Sequence, residues 1–179
     1  GFPTQLNVLV KDTDQTDLVE LNLRVRIALA SAYLAQRDSK RAIATLAKVH
    51  DEASLARLRP VQALATLELA RAHRADGKLE KAQGYAKELL ELTTNFEGRL
   101  LAAQGNALLG DIAVASDSPD EADKYYGQAR TIAEWILDET PEPLTVAFLD
   151  FYGWRLNASR HVERQVADKE KGSPWGLPF

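Results

Sequence analysis

The fold is decided by the stretch LARAHRADGKLEKA, residues Leu69–Ala82. It predicts the end of one helix, a tight turn at Asp76 and Gly77, and the start of a second helix. Because Gly77 has no Cβ, it can adopt the left-handed conformation that commonly ends a helix. Ala70 and Ala82 are small residues placed where two antiparallel helices have to approach closely. The stretch therefore predicts a helical hairpin.

The same pattern returns on both sides of this stretch. Ala42, Ala82 and Ala122 follow one another at intervals of 40 residues. The matching segments cover residues 30–42 upstream and 109–129 downstream. A fixed period of this size indicates an array of helical repeats.

These residues resemble the tetratricopeptide repeat (TPR) family. Its pattern has a small residue and an aromatic in the first helix, then a small turn residue, an alanine, an aromatic and another alanine. The third repeat fits best, with Leu109, Gly110, Ala122, Tyr126 and Ala129. In the second repeat His73 and Ala86 occupy the two aromatic positions. In the first repeat Tyr33 and Leu46 occupy them, and Arg37 stands where glycine is usual. Because the usual period is about 34 residues, these longer repeats look like those of bacterial MalT-type regulators or kinesin light chains.

The resemblance spans roughly residues 21–158 and implies an all-α fold. We expect an α-solenoid of three TPR-like helical hairpins and a C-terminal capping helix, wound into a right-handed superhelix. The expected helices cover residues 17–37, 39–52, 60–75, 78–93, 96–115, 119–137 and 144–169. The repeat domain then occupies residues 17–171, between a leader of residues 1–16 and a tail of residues 172–179.

The two ends of the chain carry weaker signals. Leu6, Val8 and Val10 alternate with other residues, which predicts an extended leader lying on the first repeat. The chain begins with Gly1 and not with Met, so we expect an excised domain or a processed protein. In the tail, the aromatic side chains of Trp175 and Phe179 favour docking, either on the end of the same superhelix or in the groove of a neighbouring molecule. The second arrangement is self-association through the C-terminal tail.

Composition excludes several classes of function. The formal net charge of −4 argues against a nucleic-acid partner, because phosphate contacts need clustered Lys and Arg. No apolar run approaches the ~18 residues of a membrane span, so no membrane insertion is expected and a cytoplasmic location is favoured. The chain has no cysteine, and its three histidines stand at no metal-ligand spacing. No phosphate loop, zinc motif or nucleophile elbow occurs, so we predict no catalytic residue, no metal, no cofactor and no enzyme.

The resemblance also places a candidate binding groove. In the TPR family the first helix of each hairpin forms the concave surface. Carrying those positions over predicts a partner-binding groove of Arg24, Ser31, Leu67, Arg71, Arg74, Gln104, Asp111, Phe151, Trp154 and Arg155. Arg71 and Arg74 either hold an acidic partner or are solvated helix charges lying over apolar neighbours. The carboxylate-gripping residues of chaperone-binding TPR proteins are missing, with Ile27 and Ser31 at two of their positions.

The function implied is therefore interaction and not catalysis. The first hypothesis is a scaffold that binds a partner protein or a peptide segment in the concave groove. The alternative is a regulatory or sensor module of a larger bacterial signalling or transcription-regulating protein. A neighbouring ATPase, kinase or DNA-binding domain in the same polypeptide would favour the regulator.

Overall fold

Six helices occupy nearly all of the chain that the computed structural model describes, which is residues 18–94 and 98–139 with Thr4, Gln5 and Asn7. They are α1 (Val19–Ala35), α2 (Ser39–Leu55), α3 (Arg59–Ala75), α4 (Leu79–Thr93), α5 (Arg99–Ala115) and α6 (Pro119–Asp138). No strand occurs within these described ranges. The helices pack consecutively, so the predicted all-α helical repeat solenoid is confirmed. The predicted capping helix and tail lie outside the described residues.

The amino-terminal leader differs from the prediction where it is described. Thr4, Gln5 and Asn7 have helical backbone, so an extended conformation is wrong at these three positions. The alternation that suggested a strand was too short, because periodicity alone cannot distinguish short apolar segments of helix and strand. The other residues of the leader are not described.

The 40-residue period consists of two equal halves. The six helices begin at residues 19, 39, 59, 79, 99 and 119, so every helix with its connection takes 20 residues. Arg37, Arg57, Gly77 and Asp117 occupy equivalent turn positions and all have a positive φ, between 56° and 75°. At each of these turns the following N–H donates to a carbonyl in the last turn of the helix, for example Lys78 N to His73 O at 2.9 Å. This is the Schellman ending, which the sequence indicated only at Gly77.

Small residues hold the two helices of each hairpin together. Ala42, Ala82 and Ala122 are fully buried, which confirms their prediction as packing residues. In the third hairpin the approach is close, because a Cβ added to Gly110 would lie 2.6 Å from the Tyr126 ring. An aromatic ring therefore fits at this crossing only because the facing residue is glycine.

The helix α3 is the centre of the solenoid. It packs against α1, α2, α4 and α5, and ten of its residues are buried. One side of α3 contributes Val61 and Leu69 to a core shared with the first hairpin. The other side contributes Leu67 to a core shared with α4 and α5. The second hairpin therefore contributes to both of these apolar cores.

Candidate functional site

The first helices of the three hairpins line one side of the solenoid. The backbone of α1 approaches α3 and that of α3 approaches α5, whereas the second helices of successive hairpins stay further apart. The array therefore curves with α1, α3 and α5 on its inner side. We call the strip across these helices the inner face; it comprises Arg24, Ser31, Leu34, Leu64, Arg71, Arg74, Gln104, Ala107, Asp111 and Val114, all at least partly exposed. The opposite side, formed by α2, α4 and α6, is the outer face.

The residues predicted to form the groove have three different locations. Arg24, Ser31, Arg71, Arg74, Gln104 and Asp111 lie on the inner face. Phe151, Trp154 and Arg155 lie outside the described residues. Leu67 is fully buried, so it cannot contact a partner and its prediction as a groove residue is wrong. The reason is the central position of α3, which leaves only a narrow exposed strip between its neighbours.

Arg71 connects the second and third hairpins across the inner face. Its guanidinium donates to the carboxylate of Glu68 one turn earlier and, at 3.0 Å, to Gln104 Oε1 on α5. The Glu68 side chain is only 10% exposed, and Arg71 is its ion-pair partner. Removing the arginine would leave a largely buried carboxylate without its counter-charge.

Arg74 makes a second connection between the same helices. Its Nη1 lies 2.7 Å from Asp111 Oδ2, and the hydroxyl of Tyr126 donates to Asp111 Oδ1 at 2.8 Å. Burial and the hydrogen bond to this carboxylate raise the pKa of Tyr126. We call the contacts of Arg71 with Gln104 and of Arg74 with Asp111 the inner link. It connects α3 with α5, and the hydrogen bond of Tyr126 to Asp111 adds a connection to α6.

The inner link changes the interpretation of both arginines. The sequence left open whether Arg71 and Arg74 hold an acidic partner or are solvated. The structure shows that each has an intramolecular partner on the next repeat. The signal that could have revealed them is the spacing of 33 and 37 residues to Gln104 and Asp111, slightly less than one repeat.

The inner face of the first junction, between the first and second hairpins, has a different composition. A shift by one period places Leu34 where Arg74 stands and Leu64 where Gln104 stands. These leucines are half-buried, and Ser31 is exposed with its hydroxyl donating to Ile27 O at 3.2 Å. Arg24 pairs with Glu20 at 2.8 Å on its own helix. This part of the inner face therefore presents exposed polar groups beside apolar surface.

The outer face of the first junction carries its own polar connection. His50 Nε2 on α2 and Glu88 Oε1 on α4 are 2.8 Å apart, and Gln62 Nε2 on α3 lies 3.5 Å from the same histidine nitrogen. We call this group the outer link. Tyr85 lies beside it, with its ring in an edge contact with His50.

His73 is a packing residue, in agreement with the interpretation of the sequence. Its ring is buried and stacks on Tyr85, with the centroids 5.3 Å apart and the planes at 5°. Burial and the charges of Lys81 and Lys78 lower the pKa of His73, so the neutral ring is favoured. Its Nδ1 is buried without a hydrogen-bond partner.

Neither a metal-binding cluster nor a membrane-spanning helix occurs in the part of the chain that the structure describes. No three His, Asp or Glu side chains converge there in a group that could hold a metal ion. None of the helices described is both long and apolar enough to cross a membrane.

Comparisons with known proteins agree with this architecture. The sequence profile of the tetratricopeptide repeat matches residues 65–100, which cover most of α3, all of α4 and the beginning of α5. This segment is therefore TPR-like. The crystal structure of BtubC (BKLC) from P. vanneervenii is similar, with a TM-score of 0.67 and 17% sequence identity over 100% of this chain and 78% of that chain. At this identity the likeness shows the fold. Comparison with curated proteins found no match.

Proposed function

We propose that the chain is an interaction module that binds a segment of a partner protein on its inner face. The observation that carries the proposal is the inner face of the first junction, where Ser31 and Arg24 are exposed beside the half-buried Leu34 and Leu64. Polar groups that hydrogen-bond a peptide and apolar surface that it can bury therefore lie side by side. TPR repeats in general mediate protein–protein interaction, which supports the same role here.

The inner link forms the far wall of the proposed site. The side chains of Arg74 and Asp111 are 42% and 39% exposed, so a partner can contact them without separating them. Phe151, Trp154 and Arg155 remain proposed contacts that would extend the site beyond the third hairpin. The proposed role is binding, and no described residue is assigned to catalysis.

Selection of peptide ligands tests this proposal. Random peptides displayed on phage are selected against the purified chain, and the affinities of the selected peptides are then measured by fluorescence anisotropy. Ser31→Arg places a long side chain across the first junction and should weaken inner-face ligands at least about tenfold, which corresponds to about 1.4 kcal/mol.

A matched control is available on the outer face. Thr131 of α6 is exposed and donates its hydroxyl to Gly127 O, four residues earlier, as Ser31 does to Ile27 O. Thr131→Arg should leave inner-face ligands unaffected. If no peptide is selected, or if Thr131→Arg and not Ser31→Arg abolishes the binding of all selected peptides, the proposal is wrong.

A further inference from the structure

An open groove lies on the outer face of the second junction, between the second and third hairpins. Its volume is about 720 Å³. The walls come from α4 and α6 and the floor from α5: Leu90, Thr93, Thr94, Arg99, Ala102, Asn106, Lys124, Gly127, Gln128, Thr131 and Ile132. Ala102 and Asn106 are each two positions away from Gln104. Because two positions along a helix correspond to a rotation of about 200°, both lie on the opposite side of α5 from Gln104. We call this site the outer groove, and it is separate from the inner face.

The outer groove is open because of differences between equivalent positions. At the first junction the same space is bridged by the outer link of His50, Gln62 and Glu88. One period later these residues are replaced by Leu90, Ala102 and Gln128. Ala102 is too short to bridge, and neither leucine nor glutamine restores the pairing of histidine with glutamate. The backbone repeats, and the side chains leave the second junction unfilled.

The described residues that line the outer groove carry charges of one sign. The charged ones among them are Arg99 and Lys124, and none carries a carboxylate. This contrasts with the chain as a whole, in which 26 acidic residues exceed 22 basic ones. The Arg99 guanidinium lies over the ring of Trp135, 3.6 Å from the ring centroid. A carboxylate at either cation would be favourably placed.

The middle of the outer groove presents hydrogen-bond acceptors. The hydroxyls of Thr93, Thr94 and Thr131 donate to carbonyls of their own helices, so each oxygen can still accept a hydrogen bond. Asn106 donates to Ala102 O, and its buried Oδ1 has no hydrogen-bond partner. A buried acceptor without a hydrogen-bond partner is destabilising. A donor entering the groove can satisfy it after a small rotation of the amide.

We propose that the outer groove binds an extended acidic peptide segment of a partner protein. Its backbone N–H groups donate to the threonine and asparagine oxygens, and two of its carboxylates pair with Arg99 and Lys124. The Arg99 guanidinium lies on the Trp135 ring, and α6 rises about 16 Å between Lys124 and Trp135. This rise approximates the distance between the two cations. An extended strand covers that distance in about five residues. The ligand therefore has two acidic side chains about five residues apart.

Titration with a designed probe tests the proposal. The probe is a fluorescein-labelled, end-capped peptide with two glutamates about five residues apart and serine, alanine and valine elsewhere. It should raise the anisotropy on binding and shift the backbone amide resonances of Thr93 and Thr131. The matched peptide with lysines in place of the glutamates should do neither. Arg99→Glu with Lys124→Glu should weaken binding at least about tenfold.

Two further variants keep the outcome unambiguous. Leu90→His with Ala102→Gln and Gln128→Glu copies the outer link into the second junction, where the backbone is equivalent, and should fold and abolish binding. Lys40→Glu with Lys48→Glu changes the net charge equally but lies outside the groove, and should bind normally.

Three results would overturn the proposal. These are failure of the glutamate peptide to bind, equal binding of the lysine peptide, and binding that survives in the triple variant. Ser31→Arg, which blocks the inner face, should not affect the probe. A negative result here therefore leaves the proposal for the inner face intact.

Discussion

The two junctions between hairpins repeat one backbone and are connected on opposite faces. At the first junction the polar connection is on the outer face, between His50 and Glu88. At the second it is on the inner face, where Arg74 reaches Asp111 and Arg71 reaches Gln104. Each junction leaves its other face open. At the first junction this is the inner face, where half-buried leucines lie beside Ser31, and at the second junction it is the outer groove.

The comparison shows what the repeat pattern does and does not determine. The apolar core and the turns recur with the period, so the helices stack in the same way at both junctions. A few side chains at the rims decide which face is bridged and which remains available to a partner. The two open faces are the places where we propose binding.

The largest effect is expected where packing supports the inner link. Gly110→Ala pushes a methyl group into the Tyr126 ring, whose hydroxyl donates to Asp111. We expect a loss of about 2 kcal/mol in the free energy of unfolding, measured by urea denaturation. Adding Tyr126→Leu copies the first hairpin, which has Ala30 and Leu46 at these positions, and should recover part of the loss. A single variant as stable as the parent would show that the crossing is looser than described.

Removal of the inner link comes next. Asp111→Ala takes the partner from Arg74 and from the Tyr126 hydroxyl, and should cost about 1 kcal/mol because the carboxylate is partly solvated. It should also lower the pKa of Tyr126, which the carboxylate helps to raise. Urea denaturation and the ultraviolet titration of tyrosine measure the two effects. An unchanged titration in the variant would mean that Tyr126 does not donate to Asp111.

The turns provide an effect of similar size and opposite sign. Arg57, which connects the first two hairpins, and Gly77 have φ of 57° and 75°. A left-handed conformation costs a non-glycine residue about 1–2 kcal/mol. Arg57→Gly should therefore raise the unfolding free energy by up to about 1 kcal/mol after the entropy cost of glycine, and Gly77→Ala should lower it. Thermal melting of both variants measures these effects. Equal shifts of the melting temperature with the same sign would contradict the left-handed conformation assigned to both turns.

Acid should weaken the packing of His73 on Tyr85 within the second hairpin. Because the pKa of His73 is lowered in the folded chain, its contribution to stability is present above the ordinary value of about 6.5 and lost as the pH falls through the lowered pKa. His73→Tyr places the residue of the equivalent position 33 there and removes this dependence. As the pH falls through this range, the unfolding free energy of the parent should decrease relative to that of the variant. Parallel curves of unfolding free energy against pH for the parent and the variant would refute the assignment of this pH dependence to His73.

The sequence predicted the fold well because the 40-residue period indicates the helical repeats and Gly77 indicates a hairpin turn. It did not predict the other left-handed turns, since Arg37, Arg57 and Asp117 are ordinary residues held in that conformation by the helices on either side. The leader was wrong at its described positions because an alternation of a few residues fits a helix as well as a strand.

The candidate site was only partly accessible from the sequence. The repeat register predicted that Arg74 and Asp111 lie on the inner face. It did not predict that they pair, because pairing depends on the offset between the parallel helices α3 and α5. Leu67 was misplaced because its burial follows from α3 having neighbours on both sides. The outer groove became visible only when Ala102 could be compared with Gln62 at the equivalent place.

Double-mutant cycles at equivalent pairs of positions test the central claim most directly. The pairs are Arg74 with Asp111, Leu34 with Arg71, His50 with Glu88, and Leu90 with Gln128. Each residue is changed to alanine alone and with its partner, and the coupling is obtained from urea denaturation. We predict couplings of about 0.5–1 kcal/mol for the first and third pairs and values near zero for the others. Equal couplings at all four pairs, or larger ones at the second and fourth, would contradict the claim that the two junctions are linked on opposite faces.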